Sequence, residues 1–307
     1  MIQNNQIFAA PMAGITDRPF RAILRECAPD ITILTEMISS HSLTAVAKNC
    51  KRNFDNYATE GRVGAQIFGA DPRIMADAAK IIETQGASFI DINMGCPVPK
   101  VATRAGAGAF LMRDHALAGR IMKSVVDAVK IPVSVKTRLG WDGAHQDSDE
   151  LVRIAADVGV KFITIHGRTR AAGYTGAADW DKIADLSRGA KIPVIFNGDI
   201  KSSADIESVQ KLGAGGAMIG RAMLGRPWLF SELTGATPPK KSDLILRHFD
   251  LTMEYYGARA GIPLFRKHAA WYSAGMTGAN EFRMRVNKIT DAAEMNKTLR
   301  EFFLDNA

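Results

Sequence analysis

Cysteine is scarce in this chain: Cys27, Cys50 and Cys96 are the only three among 307 residues. They form no CxxC pair and no disulfide pattern, so a reducing compartment is the simplest setting. Long apolar runs are missing too. None reaches the roughly 18 residues that a membrane span needs. The opening MIQNNQIFAAPMAG lacks a basic stretch followed by a long apolar core, so no secretory signal is expected and the expected location is the cytoplasm. Low-complexity segments are absent. An acidic excess is absent as well: 39 Lys+Arg stand against 32 Asp+Glu, a net charge of +7. That balance suits an acidic partner such as nucleic acid.

What is present is a repeated unit. Eight short apolar segments read as strands: IFAAPMAG, ITILTEM, VGAQIFG, FIDINMGC, VSVKTRLG, FITIHGRT, VIFNGDI and GAMIGRA. Each ends on polar or functional residues: Met12; Glu36; Gln66; Asn93 with Cys96; Lys136 with Arg138; His166 with Arg168; Asn197 with Asp199; Arg221. A helix-like stretch follows each. Strands that are apolar throughout and alternate with helices predict a parallel sheet, and eight units close a (β/α)8 TIM barrel of the α/β class. The C-terminal strand ends of such a barrel share one mouth, so residues scattered over the sequence converge there. This arrangement predicts an enzyme.

The stretch from Gly235 to Lys241 has linker composition. Beyond it, Leu244, Leu246, Phe249, Leu251, Met253, Tyr255 and Tyr256 give one helix an apolar face. Ile289, Ala292, Met295, Leu299 and Phe302 give another at three- and four-residue steps. The predicted organisation is a catalytic barrel over 1–234 and a C-terminal small helical-bundle domain over 242–307. Charge is uneven. Between Val98 and Arg138, eight cations (Lys100, Arg104, Arg113, Arg120, Lys123, Lys130, Lys136 and Arg138) face only Asp114 and Asp127. Helix-surface positions account for Arg120, Lys123 and Lys130. Lys100 and Arg104 sit in a Gly-rich loop that an anionic ligand can approach.

Barrel loops after the seventh and eighth strands often hold a phosphate. Here they read Asn197-Gly198-Asp199 and Gly220-Arg221. Glycines admit close backbone approach, and Arg221 offers a fork for two phosphate oxygens. Tight-turn geometry alone also explains the glycines. Lys136 and Arg138, two cations on the fifth strand, call for an anionic or electron-rich group between them. A flavin, which gains negative charge at N1 and O2 on reduction, is such a group. Gln66 then serves its edge, and Pro11, Met12 and Ala13 supply backbone and an apolar face. The alternative is a structural ion pair of Lys136 with Glu36 or Asp91. Cys96, flanked by Gly95 and Pro97 in a mouth loop, differs from Cys27 and Cys50, which read as buried hydrophobes. With an ordinary thiol pKa near 8.5 it is either a proton donor or, with His166 as base, a nucleophile.

These residues together resemble the tRNA-dihydrouridine synthases over nearly the whole chain. The resemblance rests on Ala10-Pro11-Met12-Ala13-Gly14-Ile15-Thr16-Asp17, Asp91-Ile92-Asn93-Met94-Gly95-Cys96-Pro97, Val135-Lys136-Thr137-Arg138, His166-Gly167-Arg168-Thr169-Arg170, Asn197-Gly198-Asp199-Ile200 and Ile219-Gly220-Arg221-Ala222. Arg266-Lys267-His268, Trp271-Tyr272, Phe282-Arg283 and Asn287 also fit. The wording of the first motif is most similar to the bacterial B-type branch. The resemblance implies an oxidoreductase acting on a CH–CH bond, with FMN in the mouth, NADPH as reductant and tRNA as partner. A uridine is flipped out of the tRNA, hydride reaches its C6, and Cys96 protonates C5. By the same resemblance Pro11, Met12, Ala13, Gln66, Lys136, His166, Asn197, Gly198, Asp199, Gly220 and Arg221 hold FMN. Asn93, Lys136, Arg138 and Arg168 hold the uracil. No metal, membrane or protein partner is implied, and the chain is expected as a monomer. Two rivals stand beside this reading. One is an FMN barrel reducing free pyrimidines, as dihydroorotate dehydrogenases do. The other is an RNA-binding barrel without catalysis. The tail, with Arg266, Lys267, His268 and Trp271, speaks against the first, and Cys96 with the flavin set against the second.

Overall fold

The structure is a computed structural model and describes residues 6–49, 57–98, 101 and 105–305. Eight parallel strands pair in chain order: β1 (Gln6–Ala9), β2 (Thr32–Ser39), β3 (Val63–Phe68), β4 (Phe89–Asn93), β5 (Val133–Arg138), β6 (Phe162–His166), β7 (Val194–Asn197) and β8 (Gly216–Ile219). β8 returns to β1, with Gln6 opposite Gly216 and Ala9 opposite Ile219, and the barrel is closed. The (β/α)8 fold expected from the sequence is therefore the fold observed. Helices α1 (Arg18–Cys27), α2 (Ser40–Asn49), α3 (Pro72–Thr84), α4 (His115–Ala128), α5 (Ser148–Asp157), α6 (Trp180–Gly189) and α7 (Ser203–Lys211) separate the strands. Asp17, Asp71, Asp114, Asp179 and Ser202 start α1, α3, α4, α6 and α7 by accepting backbone N–H groups, the usual N-cap chemistry.

Strand periodicity decides what faces the lumen. On alternate positions Phe8, Leu34, Phe89, Phe162, Ile195 and Met218 form one buried cluster inside the barrel. Phe162 meets both Phe8 (ring centroids 5.6 Å apart) and Phe89 (5.4 Å). Gly64 provides the space, since a Cβ there would lie 2.1 Å from the Phe89 ring. Continuing β3 to β7 by two residues toward the C-terminal end keeps the same orientation and reaches Gln66, Asp91, Lys136, Thr164 and Asn197, whereas in β2 a register shift between Leu34 and Met37 interrupts the alternation at Glu36. The plug below is apolar and the layer above it polar, and this sets the mouth.

The chain divides into two compact units. One takes the described residues up to Ile15 and those from Ile31 to Gly220. The other takes Thr16–Asp30 and the described residues from Arg221 on. The second unit contains α1 together with α8 (Leu229–Thr234), α9 (Lys241–Tyr272), α10 (Ala279–Val286) and α11 (Ala292–Asp305). Ile23 and Cys27 of α1 share a core with Trp228, Leu244, Phe249 and Phe265, and Ser231 Oγ donates to the Cys27 carbonyl at 2.7 Å. Cys27 is buried, as expected, and burial pushes its thiol up to about 12. Cys50 lies outside the described residues. Gly257, at φ 70°, breaks α9 just after Tyr256, where the expected apolar face ends. In α11 the buried stripe is Met295, Leu299 and Phe303, four residues apart, so Phe303 takes the core place expected of Phe302, which is partly buried.

The second unit also buries two histidines. His248 Nδ1 lies 3.0 Å from Tyr272 Oη, and the His248 and His268 ring centroids are 4.6 Å apart. Phe20 packs at 5.4 Å from each ring. Burial drives His248 down to about 3 and His268 well below its ordinary 6.5. Both are therefore neutral in the folded unit and protonated in the unfolded chain once pH drops below 6.5. Each histidine then removes up to about 1.4 kcal/mol of stability per pH unit of acidification. Thermal unfolding between pH 7 and 5 is expected to show this loss, with a shallower slope in His248→Phe. Equal slopes in parent and variant would refute the assignment.

Candidate active site

The polar layer of the mouth is a set of cross-strand partners in register. Gln66 pairs with Asp91, Asp91 with Ser134, Asn93 with Lys136, Lys136 with Thr164, and His166 with Asn197. Asp91 is fully buried and accepts from Gln66 Nε2 and Ser134 Oγ, each at 2.6 Å. Burial raises its carboxyl to about 6, offset in part by those two hydrogen bonds and by Lys136. Lys136 is half-buried and donates to Asn197 Oδ1 at 2.9 Å, while Asn197 Nδ2 donates to the Met218 carbonyl at 2.8 Å. Burial, then Arg138, pull Lys136 down to about 8. Asp91 thus favours the charge on Lys136 without a direct bond, and Glu36 is engaged by the Gly14 N–H. Thr164, which sequence reasoning missed, is fully buried on the lumen side, with no partner for its hydroxyl among the described residues.

Cys96 follows β4 in a loop tied at both ends. Asn93 Oδ1 accepts from the N–H groups of Gly95 (3.2 Å) and Cys96 (3.0 Å), and the Cys96 carbonyl accepts from Ala109 N–H at 3.1 Å. Gly108, at φ 58°, lets that second strap pass, because a Cβ there would lie 3.0 Å from the Cys96 carbonyl oxygen. The thiol is half-buried. Burial raises its pKa above the ordinary value, and the Val98 backbone N–H, then Arg138 and Lys136, oppose the rise. It is therefore a thiol at neutral pH, facing cations.

Arg138 is buried and braces the mouth. Nε donates to the Gly95 carbonyl (2.8 Å), and Nη1 to those of Gly173 (2.9 Å) and Thr169 (3.2 Å). Its guanidinium also lies 5.5 Å from the Tyr174 ring centroid. Tyr174, another residue the sequence reading passed over, is 57% exposed and meets the His166 ring edge-on at 6.0 Å. An aromatic in a Gly-rich mouth loop was its only signal. Arg168 donates to Asp199 Oδ2 at 2.5 Å and to the carbonyls of Thr175 and Gly176, and Ala178 N–H also binds Asp199. Asp199 sits at φ 57° and Gly198 at φ 115°, where a Cβ would strike Ala178 Cβ at 2.8 Å. The loop after β7 is thus a tight, glycine-dependent turn locked by a buried arginine.

The profile of the family described as "Dihydrouridine synthase (Dus)" matches residues 8–307. The chain belongs to the dihydrouridine synthase family. It is 40% identical to a probable tRNA-dihydrouridine synthase of Rickettsia typhi, over 98% of this chain and 95% of that one. It is 40% identical to tRNA-dihydrouridine synthase B of Pseudomonas syringae pv. tomato, over 98% and 92%. It is 36% identical to the protein of that name in Pseudomonas aeruginosa, over 98% and 93%. This family member brings Gln66, Asn93, Lys136, Arg138, His166 and Asn197 together at the strand ends of one barrel, with Cys96 in the adjoining loop. Pro11 and Met12 are half-buried and Ala13 is exposed just beyond β1. Gly220 closes the barrel unit, where a Cβ would meet only Ala10 Cβ, at 3.7 Å. Arg221 is exposed and opens the second unit.

The basic stretch seen in the sequence divides into separate roles. Lys136 and Arg138 belong to the mouth. Lys123 pairs with Asp127 along α4 at 2.5 Å, and Arg113 lies over the rings of Trp141 (5.1 Å) and Phe110 (5.8 Å). Lys100 and Arg104 lie outside the described residues. In the helical unit His268 is buried and Arg266 Nη2 donates to the Ile289 carbonyl at 2.7 Å. His268 faces the core of its bundle, while the half-buried Arg266, on another side of α9, is held by that carbonyl. No helix among the described residues is long and apolar enough to cross a membrane.

Proposed function

We propose that the protein reduces uridine in tRNA to 5,6-dihydrouridine, with FMN as resident cofactor and NADPH as reductant. The observation that carries this reading is a half-buried thiol beside two cations and a ring of amide groups at one barrel mouth, in a chain of this family. The donor set suits a flavin. A half-buried ammonium with a depressed pKa gains from an electron-rich ring edge, Thr164 keeps an unpaired buried hydroxyl in the lumen, and Gly220 leaves an open cradle. Pro11, Met12, Ala13, Gln66, Lys136, His166, Asn197, Gly198, Asp199, Gly220 and Arg221 would hold it. When bound and reduced, FMN supplies the hydride that uracil C6 receives.

The chain's own residues do the rest. Cys96 delivers its proton to uracil C5. Burial keeps the thiol protonated at neutral pH, which favours the acid role over a nucleophile paired with His166. Lys136 and Arg138 offset the negative charge that develops on the uracil O4 side. Asn93 and Arg168 complete the uracil side, Arg168 by holding the wall after β6 through its bonds to Asp199 and the Thr175–Gly176 backbone. The barrel over 1–234 is the proposed catalytic domain and the helices of 242–307 the proposed tRNA-binding domain. Exposed cations of the second unit, Arg259 and Lys288 among them, are the proposed phosphate contacts.

The test is direct. The purified protein should be yellow and release FMN on denaturation. With NADPH it should form dihydrouridine in tRNA taken from cells lacking it, and leave free uridine unreduced. tRNA affinity should fall steeply with salt as counterions return to the phosphates. Turnover of free uridine as fast as tRNA would favour a free-pyrimidine reductase, and a colourless protein would favour a non-catalytic binder.

A further inference from the structure

Asp91 touches neither role assigned above, yet it begins a continuous chain of hydrogen bonds that ends on Cys96. Its carboxylate only accepts, so Gln66 must turn its amide nitrogen toward it, at 2.6 Å. Gln66 Oε1 then faces Asn93, whose Nδ2 donates to it at 2.7 Å. That leaves Asn93 Oδ1 for the N–H groups of Gly95 and Cys96. Both ends demand the same orientation. Backbone N–H groups need an oxygen at one end, and a carboxylate needs a donor at the other. Ser134 Oγ, donating at 2.6 Å, holds the second carboxylate oxygen, so Asp91 cannot turn away. The strand register aligns the members, with Gln66 opposite Asp91 and Asp91 opposite Ser134.

We propose that Asp91 is a positioning residue whose carboxylate fixes, through the amide orientations of Gln66 and Asn93, the loop that presents the Cys96 thiol. Buried side-chain networks of this kind are strong when every member is satisfied and costly when one is reversed. The catalytic weight of the relay rests on Cys96 being the acid. The relay itself does not.

The experiment swaps the charge along the chain without changing its shape. In Gln66→Glu, position 66 no longer donates and two carboxylates face each other. Only a shared proton joins such a pair, so the variants are compared at about pH 9.5, where that proton is lost. The pair then repels, the carboxylate introduced at position 66 is driven off Asn93, and the link breaks. Combining Asp91→Asn with Gln66→Glu restores it in mirrored form. The amide nitrogen introduced at position 91 donates to the carboxylate introduced at position 66. That carboxylate still accepts from Asn93, and the amide oxygen at position 91 still accepts from Ser134. Hydrogen–deuterium exchange of the Gly95 and Cys96 amides, measured on the flavin-loaded protein, reports the anchor directly. Gln66→Glu is expected to exchange these amides roughly tenfold faster and the double variant to return to within about twofold of the parent, and with Asp91→Asn measured alone to complete the cycle the difference from additivity gives the coupling. Any flavin effect of the change at position 66 is common to both variants and cancels. Unchanged exchange in Gln66→Glu, or no recovery in the double variant, would overturn the relay. Either result leaves the acid role of Cys96 to be decided by turnover of Cys96→Ala.

Discussion

Cys96→Ala is expected to slow uridine reduction in tRNA by roughly 10²–10⁴-fold, the range for loss of a positioned general acid. Reduction of the bound flavin by NADPH should continue. The structure makes the variant a clean one. Both straps of the loop use the Cys96 backbone, its N–H to Asn93 Oδ1 and its carbonyl to Ala109 N–H, and neither involves sulfur. The thiol is half-buried, so its removal leaves no sealed cavity. Chemistry should be lost while fold and flavin content stay. Full activity on tRNA in this variant would remove Cys96 from the mechanism. Loss of flavin together with activity would make it a structural cysteine.

Lys136→Met is expected to lower the same reaction by roughly 10²–10³-fold, as removal of one preorganised charge donor does. It should also abolish a pH limb. In the parent, Lys136 loses its proton near pH 8, so turnover should fall as pH rises through about 8. The thiol of Cys96 is displaced upward and does not supply that limb. Stability moves the other way. The folded value of Lys136, about 8, lies below its ordinary 10.5, so between these values the unfolded chain holds more protons than the folded one. The contribution of Lys136 to stability therefore rises with pH across that window while activity declines. Single-turnover rates from pH 6 to 10 test this. A descending limb that persists in Lys136→Met would assign it to another group. The variant also leaves Asn197 Oδ1 without its donor, a cost of about 1–3 kcal/mol for a buried acceptor that a thermal melt would register.

Both predictions concern residues that the sequence alone already singles out. Periodicity explains why. In a closed parallel barrel the side-chain period is two, and the residues two positions beyond the apolar plug must face the mouth. Gln66, Lys136 and Asn197 lie two positions beyond it and Asn93 and His166 four, so all five share the mouth-facing side of their strands. Cys96 was legible because glycine and proline flank it at a strand end. Local composition also marked the linker before α9.

Contacts between distant segments were not legible. Lys136 was expected to pair with Glu36 or Asp91 if it was structural. It binds Asn197 instead, because the closed barrel sets β7 within its reach, while Gln66 and Ser134 occupy Asp91. Arg168 and Asp199 read as separate ligand residues, yet they bind each other. Arg266 and His268 read as marks of the helical tail, yet one donates to the Ile289 carbonyl and the other is core. Helix α1 follows the first barrel strand and packs in the helical unit. The sequence by itself determined the barrel, the facing of each strand and the chemical character of the mouth, because those depend on a local period and on residue type. Only the tertiary structure decided which polar groups satisfy one another and which helices share a core. A hydrogen bond is directional and within reach of only a few partners, and strand register and helix packing, which the whole chain sets, decide which of them come within about 3 Å.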